Sequence, residues 1–175
     1  STDSMEIREV AKTAGAKVPF LRSDDLAGDN VPTLPVVTDA AQRLNLGSNV
    51  NLTVMYSTSL LKPETINSFL DQVVRYSDSF HVCIRRYPHP IQRNLVRYEG
   101  GNFVMANRQL ASVRTQDLED RYFDCGKIYS ASIENWMSRD SMLSSSVRGF
   151  EIPLVESFDI DTKEEMEFVA GLGEL

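Results

Sequence analysis

Asp159-Ile160-Asp161 places two carboxylates at positions i and i+2 of what reads as extended chain, where alternate side chains point the same way. Such a pair can offer oxygen ligands to one hard divalent cation. The same residues also admit a structural reading, in which Asp161 and Glu164 form a capping box for the following helix and Asp159 is a solvated strand end. Arg22, in a polar loop, and the stretch Arg114-Thr115-Gln116-Asp117 are further candidates, because a guanidinium fork grips a carboxylate or phosphate bidentately or donates to a base carbonyl. Taken singly, each arginine is as readily a surface residue. Tyr87-Pro88-His89-Pro90 is stiffened by two prolines and suits the wall of a site, with His89 more readily a surface histidine than a base. Cys125, beside Gly126, has no partner base and reads as packing. Cys83 and Cys125, accompanied by only His81 and His89, do not make a zinc site. Gly171-Leu172-Gly173 has no helix after it and is not a nucleotide cradle.

Positioning these residues requires a framework, and hydrophobic spacing supplies one. Ile7, Val10, Ala11 and Ala14 have the spacing of one buried helix face, ended by Gly15, with Asp3 and Glu6 spaced as a capping box. Ala16 to Phe20 reads as a short strand interrupted by Pro19, and Val37, Ala40, Ala41 and Leu44 mark a second helix. A strand over 51–56 leads to a helix begun by Pro63 and striped by Ile66, Phe69, Leu70 and Val73. Phe80, Val82 and Ile84 alternate in another strand, and 95–98 pairs with 103–105 across Gly100-Gly101. A weak strand at 128–130, a short helix around Trp136, a strand over 150–155 and a helix containing Met166, Val169 and Ala170 complete the pattern. This alternation predicts one α/β domain with a largely parallel sheet, whose ligands bind beyond the strand ends: after Phe20, after Tyr56, around Gln92 and Arg114, and after Phe158.

Composition narrows the partners. Of 175 residues, 42% are hydrophobic and 25% charged, as in an ordinary globular domain. Eighteen basic against 25 acidic residues give a net charge of −7, which argues against nucleic acid, since no basic field exists to displace its counterions. No apolar run reaches the roughly 20 residues that span a bilayer, so no membrane is expected. Two isolated cysteines fit a reduced, cytoplasmic setting.

Read in order, the segments Ser1-Thr2-Asp3, Glu9-Val10-Ala11-Lys12, Val18-Pro19-Phe20-Leu21-Arg22, Leu26-Ala27-Gly28-Asp29 and Pro32-Thr33-Leu34-Pro35-Val36 form the first half of a recognisable series. Pro90-Ile91-Gln92-Arg93, Arg114-Thr115-Gln116-Asp117-Leu118, Asp124-Cys125-Gly126 and Asp159-Ile160-Asp161-Thr162 continue it. The set resembles the acylneuraminate cytidylyltransferase (CMP-sialic acid synthetase) family, most of all its pseudaminic acid branch. The resemblance implies a Rossmann-like nucleotide-diphospho-sugar transferase fold over residues 1–175, with 86–126 a dimerisation and sugar-site insertion in a homodimer. It implies that Arg22 and Thr33 contact the cytosine of CTP, and that Asp159 and Asp161 hold a catalytic Mg²⁺. It further implies that Arg114 and Gln116 contact a nonulosonic acid, with Tyr56 beside it. The implied reaction joins that sugar acid to CMP with loss of pyrophosphate.

Departures accompany the resemblance. The family has a strand, a Gly-, Arg- and Lys-containing phosphate loop and a helix before the position of Ser1, so these are expected to be missing from the 175 residues. Ser57-Thr58-Ser59-Leu60 replaces a proline-flanked Thr, and Lys127, Ser130 and Ala131 stand where the branch tends to have Gln, Trp and Gly. Two alternatives therefore stand beside the enzyme: a non-catalytic module that keeps the fold and dimer surface, and a related synthetase for another base or a KDO-type sugar.

Overall fold

Pro63 begins a helix because it lacks the N–H that a first turn leaves unused, and the observed helix runs from that residue. The computed structural model describes residues 1–171; Leu172 and Gly173 of the glycine-bearing terminal segment lie outside the described residues. In chain order the elements are α1 (Met5–Thr13), α2 (Thr33–Arg43), β1 (Asn51–Met55), α3 (Pro63–Arg75), β2 (His81–Arg86), β3 (Leu95–Arg97), β4 (Phe103–Met105), β5 (Tyr122–Ser132), α4 (Ile133–Met137), β6 (Arg148–Glu151) and α5 (Lys163–Gly171). Short 3-10 turns punctuate the connections. The segment 16–20 forms no strand, as its interruption by Pro19 would favour.

Four strands form a sheet in the order β1-β5-β2-β6. Val50 O accepts from Ile133 N at 2.9 Å and Ser48 O from Glu134 N at 3.1 Å, so β5 runs against β1. Tyr87 N donates to Arg121 O at 2.9 Å, where β2 ends and β5 begins, so β5 also runs against β2. Phe80 O accepts from Arg148 N at 2.7 Å and Ile84 O from Ile152 N at 3.1 Å, which makes β6 parallel to β2. The expected parallel sheet is thus met only in part: β1, β2 and β6 share a direction, yet two of the three neighbouring pairs are antiparallel. The connections explain this. Helix α3 carries the chain from β1 to β2 as a crossover, whereas the path from β2 to β5 holds only the β3–β4 hairpin and 3-10 turns and comes straight back. That hairpin has the expected register, Leu95 opposite Met105 and Arg97 opposite Phe103, with Gly100 and Gly101 at φ +72° and +81° in its turn.

The chain divides into two compact units: Ser1–Val54, Val73–Phe80 and Ser130–Arg148 form the first, and Met55–Gln72, His81–Tyr129 and the chain from Gly149 onward form the second. In the first, α2 packs on α4 and the core holds Leu34, Val37, Ala41, Phe80, Ile133 and Trp136. The Phe80 and Trp136 rings meet edge to face with centroids 4.6 Å apart, and the indole N–H donates to Leu52 O at 3.0 Å. The core of the second contains Phe69, Val82, Cys83, Cys125, Ile128, Tyr129, Ile152 and Val169. Buried Glu156 there accepts from Lys62 N (2.9 Å) and Thr65 Oγ1 (3.0 Å), tying the first turn of α3 down.

Two expectations about helices need correction. The stripe on α1 is not buried: Ile7 and Val10 are 57% and 66% exposed. Neither expected capping box forms. Ser4 caps α1, its Oγ accepting from Ile7 N at 3.2 Å. Before α5, Thr162 Oγ1 accepts from Glu165 N at 3.2 Å while Glu165 Oε2 accepts from Thr162 N at 2.8 Å, the reciprocal pair of a box shifted by one residue. In both places a hydroxyl follows the aspartate and does the capping, so Asp3 and Asp161 are released for other work.

Candidate active site

Within the first unit the residues around Arg22 are held by the chain start. Arg22 N donates to Thr2 O at 2.9 Å, and Arg22 Nη2 donates to Asp3 Oδ1 at 2.8 Å. Arg22 Nε is buried with no hydrogen-bond partner among the described residues, so the guanidinium keeps a donor in reserve. Thr33, half-buried, is the first residue of α2. The hydrogen bond from Arg22 holds the Asp3 carboxyl below the ordinary carboxylate range. A carboxyl lowered by folding stabilises the folded state above its unfolded pKa, and that contribution disappears as pH falls through the lowered value. Between about pH 5 and about pH 3 the melting temperature of the wild type should therefore fall more than that of Asp3→Asn, and equal slopes would refute the coupling.

The second unit gathers the other candidates around β5. Tyr56 N and Ser59 Oγ both donate to Lys127 O, at 3.0 and 2.8 Å, which pins the loop after β1 to mid-strand. Lys127 Nζ donates to Asp159 Oδ1 at 2.8 Å and to Thr58 O at 3.5 Å. Its side chain is 0% exposed against 46% for Asp159. Gly126 precedes it at φ +64°, a left-handed conformation that glycine adopts without strain, and a Cβ there would lie 3.5 Å from Asp159 Oδ2. Asp124 accepts from Gly126 N at 3.0 Å and from the Tyr129 hydroxyl at 2.9 and 2.7 Å on its two oxygens. Burial, followed by that hydrogen bond, pushes the Tyr129 phenol up, so it stays a donor. Burial likewise pushes the Cys125 thiol up to about 12, which removes it as a nucleophile near neutral pH.

The remaining candidates lie apart from this cluster's hydrogen bonds. Asp161 is exposed; its backbone N–H donates to Glu165 Oε2 at 2.9 Å, and its carboxylate makes no hydrogen bond or ion pair among the described residues. Arg114 closes its fork on Asp117, at 2.8 and 3.3 Å, with the side chain 72% exposed. Gln116 lines a cavity of about 570 Å³ with Arg85, Arg86, Tyr87, Asp120 and Arg121. Its arginines are already paired, Arg85 with Glu151, Arg86 with Asp120 and Arg121 with Glu119.

The donor set at 159–161 fits Mg²⁺. That ion keeps several waters and takes one or two carboxylates together with substrate phosphates, and here Asp159 Oδ2 and the Asp161 carboxylate are the oxygens left without donors. No group of three His, Cys, Asp or Glu side chains suited to a metal occurs among the described residues. Lys127, a charge within an otherwise apolar strand segment, is the residue whose place in this cluster the sequence pattern did not expose. The available signal was the lysine itself at a strand position flanked by Cys125 and Ile128-Tyr129.

No protein-family model matches the chain. The chain, whose ordered segments are carried on a mixed α/β sheet, is similar to proteins named as cytidylyltransferases. In particular, it is 28% identical over 171 residues to the pseudaminic acid cytidylyltransferase of Campylobacter jejuni, a match covering 96% of this chain and 74% of that enzyme. A second strain's enzyme matches to the same extent. The CMP-N,N'-diacetyllegionaminic acid synthase of Legionella pneumophila is 39% identical over 69 residues, 38% of this chain and 30% of that protein. The resemblance read from the motifs is borne out in these homologues, which are enzymes by name.

Proposed function

We propose that this protein is a cytidylyltransferase that activates a nonulosonic acid of the pseudaminic type with CTP. The observation that carries the reading is the match to the Campylobacter enzyme along 96% of the chain. In the proposed reaction the anomeric hydroxyl oxygen bonds to the α-phosphorus of CTP, the bond from that phosphorus to the bridging oxygen breaks, and pyrophosphate leaves as the hydroxyl proton is lost. Arg22, whose Nε has no partner among the described residues, and the Thr33 hydroxyl read the polar edge of cytosine. Asp159 and Asp161 hold Mg²⁺, which neutralises charge on the phosphate oxygens when bound. Arg114 and Gln116, with Tyr56 near the strand end, receive the sugar acid; the cavity lined by Gln116 supports the role of that residue.

The test supplies the purified protein with CTP, Mg²⁺ and a panel of nonulosonic acids and measures pyrophosphate. Release with a pseudaminic-type acid is expected, as is preference for CTP over UTP, GTP and ATP. No release with any sugar, while a reference cytidylyltransferase works in parallel, overturns the reading in favour of a non-catalytic module.

The same reading makes the protein a homodimer through 86–126. Exposed apolar side chains on the β3–β4 hairpin support this: Leu95 is 61%, Tyr98 66% and Phe103 57% exposed. Sedimentation at micromolar concentration should show a dimer, and Phe103→Glu with Tyr98→Glu should shift it to monomer. A monomeric wild type sinks the proposal.

A further inference from the structure

We propose that Lys127 is a positioning residue that restricts Asp159 to one-oxygen ligation of a cation and, through its charge, holds the affinity for that cation down. The inference rests on the metal role proposed for Asp159 and Asp161. What carries it is the placement of a fully buried ammonium against one oxygen of a half-exposed carboxylate.

Lys127 has little freedom to move aside. Its carbonyl is held by Tyr56 N and Ser59 Oγ, its side chain is enclosed, and Nζ donates to Asp159 Oδ1 and Thr58 O. Asp159 Oδ1 also accepts from Ile160 N at 3.1 Å, so two donors occupy that oxygen. Oδ2 takes no donor among the described residues and lies beside Gly126, which has no side chain to cover it. A cation approaching Asp159 is therefore offered Oδ2 alone. Single-oxygen ligation suits Mg²⁺ with its retained waters, whereas Ca²⁺ draws on bidentate carboxylates and more ligands. The Lys127 ammonium held at Oδ1 also repels any divalent ion bound to Oδ2.

The test follows Mn²⁺ binding to the full chain by electron paramagnetic resonance without nucleotide, with Mg²⁺ and Ca²⁺ as competitors. Lys127→Met should bind Mn²⁺ at least about tenfold tighter than the wild type, and Lys127→Arg should stay within about threefold of it. Ca²⁺ should gain on Mg²⁺ as a competitor in Lys127→Met, because Asp159 Oδ1 then keeps only the Ile160 N–H and can turn a lone pair to the cation. Lys127→Gln, which keeps a donor but loses the charge, should tighten Mn²⁺ binding without improving Ca²⁺ competition, and it carries the charge prediction if Lys127→Met does not fold. Mn²⁺ affinity that is unchanged or weaker in the neutral variants, or Mn²⁺ bound by no form of the protein, overturns the proposal. Pyrophosphate release keeps the outcomes separate. Its absence alongside the expected Mn²⁺ changes removes the cytidylyltransferase reading alone, and its presence without them removes only the role of Lys127.

Discussion

Asp161→Asn should lower pyrophosphate release from CTP by about 10²–10³-fold, the size of effect seen when one preorganised group stabilising transition-state charge is lost, while leaving the fold intact. The structure gives the reason for the second half. Asp161 is exposed, its carboxylate bonds to nothing among the described residues, and the cap of α5 is made by Thr162 and Glu165. Asn keeps the backbone N–H that donates to Glu165 Oε2. Asp159→Asn should lose activity to a similar degree but should also destabilise the protein, because it leaves the enclosed Lys127 ammonium without a counter-charge, facing only a neutral amide and Thr58 O at 3.5 Å. Removing one partner of a fully buried pair costs roughly 3–5 kcal/mol; with Asp159 half-exposed, about 2 kcal/mol is expected. For a chain of this size that corresponds to a fall in melting temperature of about 4–8 °C. Parallel assays and thermal melts of the two variants check both halves. Wild-type turnover in Asp161→Asn contradicts the metal role, and an unshifted melt in Asp159→Asn contradicts the ion pair.

Trp136→Ala should be the most destabilising single change in the first unit, at about 4 kcal/mol. The side chain is fully buried, stacks edge to face on Phe80 and donates its indole N–H to Leu52 O. Truncation removes the largest side chain of that core and leaves the Leu52 carbonyl without the donor. Trp136→Phe keeps most of the apolar volume and loses chiefly the hydrogen bond, so about 1–2 kcal/mol is expected for it. Urea denaturation of the two variants separates the contributions. Equal losses would mean that the hydrogen bond dominates, contrary to the packing argument.

Much of this framework could be read locally. Pro63 marked the start of α3, Gly15 the end of α1, and Gly100-Gly101 the hairpin turn, since each depends on backbone restrictions of the residue itself. The caps lie one residue beyond the expected aspartates for an equally local reason. Asp3-Ser4 and Asp161-Thr162 each offer two competent caps in succession, and only the actual first turn decides between them. The stripe on α1 shows in the sequence as a pattern but its exposure does not, because periodicity identifies an apolar face without identifying what covers it.

By itself the sequence determined the order of the motifs, the homology they carry, the residue types available for a cation and a base, and the positions of most helices and of the hairpin. These are properties of neighbours along the chain. Tertiary structure decided the direction of β5, the enclosure of Lys127 and the division of labour between the two oxygens of Asp159. Each of these depends on segments far apart in sequence: β5 on a return path without a crossover helix, and Lys127 on a carboxylate 32 residues away that only folding brings to 2.8 Å. A lysine in a strand looks the same in sequence whether it meets solvent or a counterion.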